Sequence, residues 1–178
     1  MDNDFINPDQ LILQFGLEEG MKAADFGIGS GYFTILMAKK VGETGLVTAL
    51  DILEAPLEVV KNKAVAEGLE NINFVRANLE AENGSKLEND SQDFVLLANI
   101  LFQSEKEQDI IKEASRVVKS GGKVVVIDWK QNVSALGGPP EELKTPPSEV
   151  KSFAEAAGLK FANEFDAGKY HYGVVFNK

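Results

Sequence analysis

The sequence contains no cysteine, which excludes a thiol nucleophile and thiolate metal ligands but leaves the redox compartment open. Histidine is almost as scarce: His171 is the only one, so the residues that usually bind transition metals are missing and we expect no metal site. Arginine occurs only at positions 76 and 116, and the formal net charge is −10. Nucleic-acid binders neutralise phosphates with Lys and Arg, so this composition argues against nucleic acid and against anionic membrane surfaces.

Long apolar runs are also missing. No run approaches the ~20 residues of a membrane-spanning helix, and the acidic start, Met1-Asp2-Asn3-Asp4, lacks the basic residues of a signal peptide. We therefore expect a soluble, cytoplasmic protein. Its 178 residues suit a single domain with a sizeable core.

Three closely spaced glycines mark a candidate ligand-binding loop near the start of the chain. Gly27, Gly29 and Gly31 alternate with other residues directly after a short apolar run, and a helix-like segment follows. Glycine allows turns that a Cβ forbids and lets a ligand approach the backbone, while the helix start offers free N–H groups. This arrangement is typical of a nucleotide-type site after the first strand of an α/β sheet. The alternative is a tight turn without a ligand.

The rest of the chain alternates apolar strands with amphipathic helices, which predicts a parallel sheet covered on both faces. A leading helix capped by Asn7 is expected within residues 1–20, and a helix opened by a capping box at Ser104 and Glu107 is expected after the fourth strand. A turn is predicted at 120–122, and residues 130–147 form a loop beside the active site. Strands are predicted at 21–26, 46–51, 72–76, 93–98 and 123–129, followed by a helix ending at Gly158 and an antiparallel pair at 160–165 and 172–176.

The pattern Asp25-x-Gly27-x-Gly29-x-Gly31 resembles motif I of the class I methyltransferases, which bind S-adenosylmethionine. The dinucleotide fingerprint G-x-G-x-x-G fits less well, because its third glycine would fall on Tyr32. The resemblance covers residues 21 to about 129, and the strand count extends it to the end. It implies a Rossmann-like, seven-stranded, mostly parallel α/β sheet with helices on both faces and an antiparallel last strand, in one domain spanning 1–178.

The resemblance also implies roles for individual residues. Asp51, 24 positions after Gly27, would bind both ribose hydroxyls, and Asn78 would accept from the adenine amino group where the family often has Asp. Asn99 would face the methionine part of the cofactor. The cofactor-binding residues implied in this way are Asp25, Gly27, Gly29, Gly31, Asp51, Ile52, Asn78, Leu79 and Asn99.

The acceptor side is less well defined. The run from Asn99 to Phe102 departs from the Asn-Pro-Pro-Tyr-like motif of base N-methylases, and residues 118–123 resemble small-molecule methyltransferases of the ubiquinone-biosynthesis type. The resemblance implies a small-molecule acceptor, whereas a non-catalytic S-adenosylmethionine- or nucleotide-binding module acting through a partner is the alternative. No catalytic base is evident: packing is favoured for His171, and Trp129 either lines the acceptor site or packs in the core. The sequence does not indicate an oligomeric state.

Overall fold

The computed structural model describes residues 6–178, and within this range seven strands form one sheet. The strands are β1 (Lys22–Phe26), β2 (Leu46–Asp51), β3 (Ile72–Arg76), β4 (Gln92–Ala98), β5 (Val118–Trp129), β6 (Lys160–Asp166) and β7 (His171–Asn177). Their order across the sheet is β3-β2-β1-β4-β5-β7-β6. The pairs from β3 to β5 are parallel, and β7 runs antiparallel to both β5 and β6. The predicted mostly parallel sheet with an antiparallel last strand is confirmed.

The helices follow the strands as the alternating pattern requires. They are α1 (Pro8–Leu11), α2 (Tyr32–Val41), α3 (Glu54–Ala66), α4 (Glu107–Val117) and α5 (Pro147–Ala156), with short 3-10 turns at Ile12–Gln14, Leu101–Gln103 and Glu141–Leu143. Among residues 6–178, no helix combines the length and the apolar character needed to cross a bilayer.

Each inner strand divides its side chains between two buried layers, because successive residues point to opposite faces. Val95 and Leu97 of β4 pack with α4 and α5 on one face. Phe94 and Leu96 of the same strand pack with α1 and α2 on the other. Burial on both faces explains why these strands read as continuous apolar runs.

The start of α1 agrees with the prediction. The Asn7 side chain accepts a hydrogen bond from the Gln10 N–H at 3.3 Å, and Pro8 occupies the first helical position. The helix is only one turn long and continues as the 3-10 turn that ends near Gly16, whose φ is +68°. The first five residues of the expected leading segment, 1–20, lie outside the described residues.

The predicted turn at 120–122 is wrong, because β5 begins at Val118 and runs through it. Gln92 pairs with Val118 and Phe94 pairs with Lys123. Five steps along β5 therefore match two steps along β4, and the strand bulges at Gly121, where φ is +81°. Hydrogen bonds between this bulge and Lys178 at the end of the chain keep the backbone polar groups paired.

The predicted capping box before α4 is also wrong. The helix begins at Glu107, and its N-cap, Lys106, provides no side-chain hydrogen bond. Ser104 Oγ instead accepts from the Lys106 N–H at 2.8 Å and donates to Glu80 Oε1 at 2.7 Å. Residues Leu101–Gln103, directly before Ser104, form a 3-10 turn, and the helix begins only at Glu107, three residues after Ser104.

Candidate functional site

A cavity of ≈ 960 Å³ lies at the carboxyl ends of the central strands. Open α/β sheets bind ligands at this edge, where neighbouring strands diverge to opposite sides. Of the nine residues predicted to bind the cofactor, eight line this cavity: Asp25, Gly27, Gly29, Asp51, Ile52, Asn78, Leu79 and Asn99. The cavity also includes residues from the start of the chain, Ile6 and Pro8, and from the loop after β5, Gly137.

The glycine loop combines one close approach with one open position. Gly27 has a φ of +80°, and a Cβ there would lie 2.6 Å from Ile100 Cδ1. Gly29 has a φ of +49°, and a Cβ there would meet no described atom within 4 Å. The loop is anchored because the Gly27 and Ile28 N–H groups both donate to the Leu50 carbonyl, at 2.8 and 3.1 Å. Gly29 lines the cavity, and a side chain at this position would extend into space that no described atom occupies.

Gly31 is placed differently from the other two glycines. It is the N-cap of α2, with a φ of +77°, and in the described structure it does not line the cavity. A Cβ at Gly31 would lie 2.3 Å from Val60 Cγ2 on α3. The geometry gives Gly31 a packing position behind the cavity wall, where it lets α2 and α3 approach each other.

Asp51 connects the two loops that form one end of the cavity. Its Oδ2 accepts from the Gly29 N–H at 3.4 Å, and its Oδ1 accepts from the Leu53 N–H at 2.9 Å. A carboxylate can accept about four hydrogen bonds. Both oxygens therefore keep capacity for hydroxyl groups of a ligand.

Asp25 is a buried acid at the base of the cavity. Burial raises its pKa to about 6, the hydrogen bond donated by Thr34 Oγ1 at 2.6 Å lowers it, and the negative charge of Asp51 raises it. A nearby positive charge favours the ionised form of a carboxylic acid. The site is therefore suited to a ligand that carries a cationic group.

Asn78 and Leu79 follow β3 and line the cavity on the same side of the glycine loop as Asp51. The Asn78 side chain is exposed, and its Oδ1 accepts from the Glu80 N–H at 3.1 Å, which closes a local turn. Leu79 is buried. The amide oxygen of Asn78 keeps one lone pair for a ligand donor.

Asn99, after β4, is held in an unusual backbone conformation. Its φ is +55°, its N–H donates to the Ile127 carbonyl at 2.8 Å, and its own carbonyl accepts from Gln103 Nε2 at 2.7 Å. Its side-chain Oδ1 is buried with no hydrogen-bond partner among residues 6–178. A buried acceptor left unpaired costs about 1–3 kcal/mol. This atom is therefore a site for a donor group on a ligand.

Two aromatic residues that the sequence interpretation did not assign to the site, Trp129 and His171, line the cavity: it left Trp129 open between the acceptor site and the core, and it favoured packing for His171. Trp129 at the end of β5 and His171 at the start of β7 are paired across the two strands, and their ring centroids lie 4.1 Å apart. Burial and, to a smaller extent, the positive charge of Lys130 together lower the pKa of His171 to about 4. The sequence gives little indication that these two rings meet, because placing His171 beside Trp129 requires the register between β5 and β7.

Asp128 precedes Trp129 but, in the described part of the chain, does not line the cavity. Its two oxygens accept from the Leu101 N–H at 3.1 Å and the Trp129 N–H at 2.8 Å. Burial raises the pKa of this acid to about 7, although the backbone N–H donors lower it. Its role is to fix the 3-10 turn that carries the cavity wall after Asn99.

Comparison with known proteins decides the family. Residues 17–171 match the sequence model of a family described as "Methyltransferase domain". The chain belongs to this methyltransferase family. A demethylmenaquinone methyltransferase of Staphylococcus aureus (strain MRSA252) is 34% identical over 122 residues, which are 68% of this chain and 48% of that protein. The chain thus spans about half the length of the curated relatives it matches.

Solved structures agree with this assignment. A SAM-dependent methyltransferase from Aquifex aeolicus is similar to this methyltransferase-family chain with a TM-score of 0.86 and 29% identity, covering 97% of this chain and 90% of that one. The [4+2]-cyclase SpnF shares the fold at a TM-score of 0.80 and 14% identity, covering 96% of this chain and 79% of that one. Since one fold supports different reactions, the chemistry must be argued from the site.

S-adenosylmethionine is the cofactor of this class I methyltransferase. The residues present suit it. Gly29 leaves open space, Asp51 retains acceptor capacity for adjacent hydroxyls, and the unpaired Asn99 oxygen can accept from an amino group. In contrast, residues 6–178 bring together no group of three His, Asp or Glu side chains that could hold a metal ion.

Proposed function

We propose that the chain transfers a methyl group from S-adenosylmethionine to a small-molecule acceptor. The observation that carries the proposal is the continuity of one cavity. Asp51 and Asn78 line it on one side of the glycine loop, and Trp129 and His171 line it on the other. A volume of ≈ 960 Å³ is near the upper end of the ~300–1,000 Å³ typical of small-molecule sites, which leaves room for a second ligand beside the cofactor.

When bound, the cofactor supplies an activated sulfonium methyl group, so the protein has little bond-making chemistry of its own to perform. The residues of the chain orient and enclose the reactants. Asp51 would hold the ribose hydroxyls, Asp25 would favour the positive charge, and Asn99 would hold the amino-acid end. Holding two reactants in the reactive geometry can account for about 7–11 kcal/mol of a lowered barrier.

For the acceptor, we propose a planar hydroxylated ring of the quinol type. The relative from S. aureus is named a demethylmenaquinone methyltransferase, and its match to this chain extends over 68% of the chain. The far end of the cavity supports the proposal, because Trp129 packs edge-on against Phe102 with ring centroids 6.2 Å apart and against His171. Aromatic walls of this kind favour a flat ring.

We further propose that the chain acts as one domain in the cytoplasm and that nucleic acid is not its partner, because a net charge of −10 disfavours binding to phosphates. The segment 130–147 would form the loop beside the active site. Gly137 lines the cavity, and the buried Lys144 fixes the loop through the Val133 carbonyl and Glu141, each at 2.8 Å.

A turnover assay tests the proposed function. The protein is incubated with methyl-labelled S-adenosylmethionine and reduced demethylmenaquinone, and formation of S-adenosylhomocysteine and labelled product is followed. We expect both products in equal amounts. Cofactor binding without turnover on this acceptor, or on a wider panel of hydroxylated rings, would instead support the non-catalytic binding module.

A further inference from the structure

Three polar atoms at the far end of the cavity have no partner. They are Trp129 Nε1 and both ring nitrogens of His171, which are buried and unbonded in the described structure. The residues themselves are only 8% and 1% exposed. Buried polar groups are almost always paired in native proteins, and leaving one unpaired costs about 1–3 kcal/mol. Because both residues line the cavity, a polar group that enters it can pair with these atoms.

We propose that His171 is the proton acceptor of the methyl-transfer reaction, and that Trp129 Nε1 donates a hydrogen bond to an oxygen of the acceptor. A neutral imidazole offers one lone pair and one N–H, and an indole offers one N–H. Together the two rings match an acceptor that presents a hydroxyl group. This inference rests on the proposed function, because it assigns a role within the same cavity.

The sheet order places His171 on the side of the glycine loop that faces away from Asp51 and Asn78. From the glycine loop after β1, the strands follow in the order β4, β5 and β7, and Asn99, Trp129 and His171 lie at the same edge on these three strands. Asp51 and Asn78 lie on the other side, after β2 and β3. The adenosine-binding end and the imidazole are therefore at opposite ends of the cavity, with Asn99 between them.

The proton and the charge can be accounted for. The O–H bond of the acceptor breaks and its proton moves to a nitrogen of His171. The hydroxyl oxygen, or the ring carbon conjugated with it, forms the bond to the methyl carbon, and the electron pair of the sulfur–carbon bond remains on sulfur. The positive charge lost from sulfur reappears on the imidazolium, so the step creates no additional charge in a buried site. Because burial and Lys130 lower the pKa of His171 to about 4, its lone pair is free at neutral pH. The imidazolium then returns its proton to water when the product leaves.

The composition of the chain makes this inference testable by binding alone. His171 is the only histidine and Trp129 is the only tryptophan, so each gives a single, unambiguous spectroscopic signal. The protein is saturated with S-adenosylhomocysteine and titrated with 1-naphthol, a stable hydroxylated ring, or with naphthalene, which lacks the hydroxyl. Imidazole nitrogen shifts are followed by NMR and indole emission by fluorescence.

We expect 1-naphthol to shift the unprotonated His171 nitrogen and to change Trp129 emission with the same Kd, whereas naphthalene leaves the nitrogen shift unchanged. His171→Phe keeps an aromatic ring against Trp129 and should weaken 1-naphthol binding at least tenfold, with S-adenosylhomocysteine affinity within twofold of wild type. Tyr172→Phe is the matched control. It removes the hydrogen bond to the Thr145 carbonyl outside the cavity and should leave both affinities unchanged.

Two results would overturn the inference: no 1-naphthol binding up to its solubility limit, or binding that leaves the His171 nitrogens unshifted. The NMR measurement uses wild-type protein, so it decides the matter even where His171→Phe fails to fold. Failure to bind S-adenosylhomocysteine in the first step would reject the proposed function itself. In the turnover assay, His171→Phe should lower kcat by about 10²–10⁴-fold without raising the KM for S-adenosylmethionine, as loss of a general base predicts.

Discussion

Gly29 contributes to the cavity by having no side chain. A valine at this position would extend into the space that we assign to the methionine part of the cofactor, since a Cβ there meets no described atom within 4 Å. We expect Gly29→Val to raise the Kd for S-adenosylhomocysteine at least 100-fold, as measured by isothermal titration calorimetry. Gly68, which follows α3 outside the cavity, offers a matched control.

Gly68 has a φ of +69° and, like Gly29, leaves an added Cβ without a neighbour within 4 Å. A side chain in this conformation costs about 1–2 kcal/mol at either position. Gly68→Val should therefore lose similar stability but keep wild-type affinity. Equal loss of affinity in both variants would show that strain, and not occupied space, explains the effect.

Asp51 makes a different prediction, because it acts through charge. Hydrogen bonds to a charged group contribute about 1.5–3 kcal/mol. Asp51→Asn should therefore weaken S-adenosylhomocysteine binding about 10- to 100-fold by calorimetry. Asp93 is a comparable strand-end carboxylate at the opposite edge of the sheet, where it accepts from the Lys22 N–H at 2.8 Å. Asp93→Asn should reduce stability without changing affinity, and unchanged binding by Asp51→Asn would contradict the ribose assignment.

The buried Asp128 should make stability depend on pH. Its pKa is raised to about 7 by burial, against about 3.9 in the unfolded chain. The folded state therefore holds an extra proton between these values, and the stability from this group is fully present below about pH 4 and lost as pH rises through 7. The free energy of unfolding should fall by up to about 1.4 kcal/mol per pH unit between pH 5 and 7 through this one group.

Asp128→Asn removes that titration but keeps one acceptor for the backbone. Its curve of unfolding free energy against pH, measured by urea denaturation with circular dichroism, should be flatter than that of wild type between pH 5 and 7. Parallel curves would show that Asp128 is not protonated in the folded state. Asp25, whose pKa is also raised, titrates in both proteins and so does not affect the comparison.

At the scale of elements, the contact between α2 and α3 depends on Gly31. An added Cβ would lie 2.3–3.0 Å from the Val60 side chain, and φ at this position is +77°. Gly31→Ala should destabilise the fold by about 2–5 kcal/mol, the sum of backbone strain and overpacking. Urea denaturation of Gly31→Ala, Val60→Ala and the double variant measures the coupling.

Because Val60→Ala removes the two γ-carbons, which lie nearest to the new methyl group, the double variant should be more stable than the sum of the single effects by about 0.5–3 kcal/mol. Strict additivity would contradict the packing role. The same proteins, while folded, should bind S-adenosylhomocysteine with affinities close to wild type, which separates Gly31 from Gly29.

The order and type of the strands and helices could be predicted because the spacing of apolar residues differs between the two kinds of element. The bounds of β2 and β3 were predicted correctly, and so was the antiparallel pair that ends the chain. The errors occurred where tertiary contacts, and not the local sequence, determine the backbone structure. The glycines at 121 and 122 read as a turn but lie in a bulge of β5, held by Lys178. Ser104 was predicted to cap a helix, but its hydroxyl donates a hydrogen bond to Glu80, which lies in a loop 24 residues earlier in the chain.

At the scale of the whole molecule, the sequence located one end of the cavity better than the other. Residues of the glycine loop, and those after β2, β3 and β4, lie near one another because parallel strands end at one edge. His171 enters from an antiparallel strand whose neighbour in the sheet is 42 residues earlier in the chain at Trp129. No local pattern encodes that pairing, so the imidazole could be predicted only as a packed residue.

The central claim is that this cavity holds S-adenosylmethionine, and isothermal titration of the wild-type protein with S-adenosylhomocysteine tests it most directly. The account predicts saturable binding of one molecule per chain with a micromolar or lower Kd. It also predicts stabilisation against unfolding by about 2.7 kcal/mol at a ligand concentration of 100 Kd. A folded protein that shows no heat of binding at millimolar ligand would contradict the account.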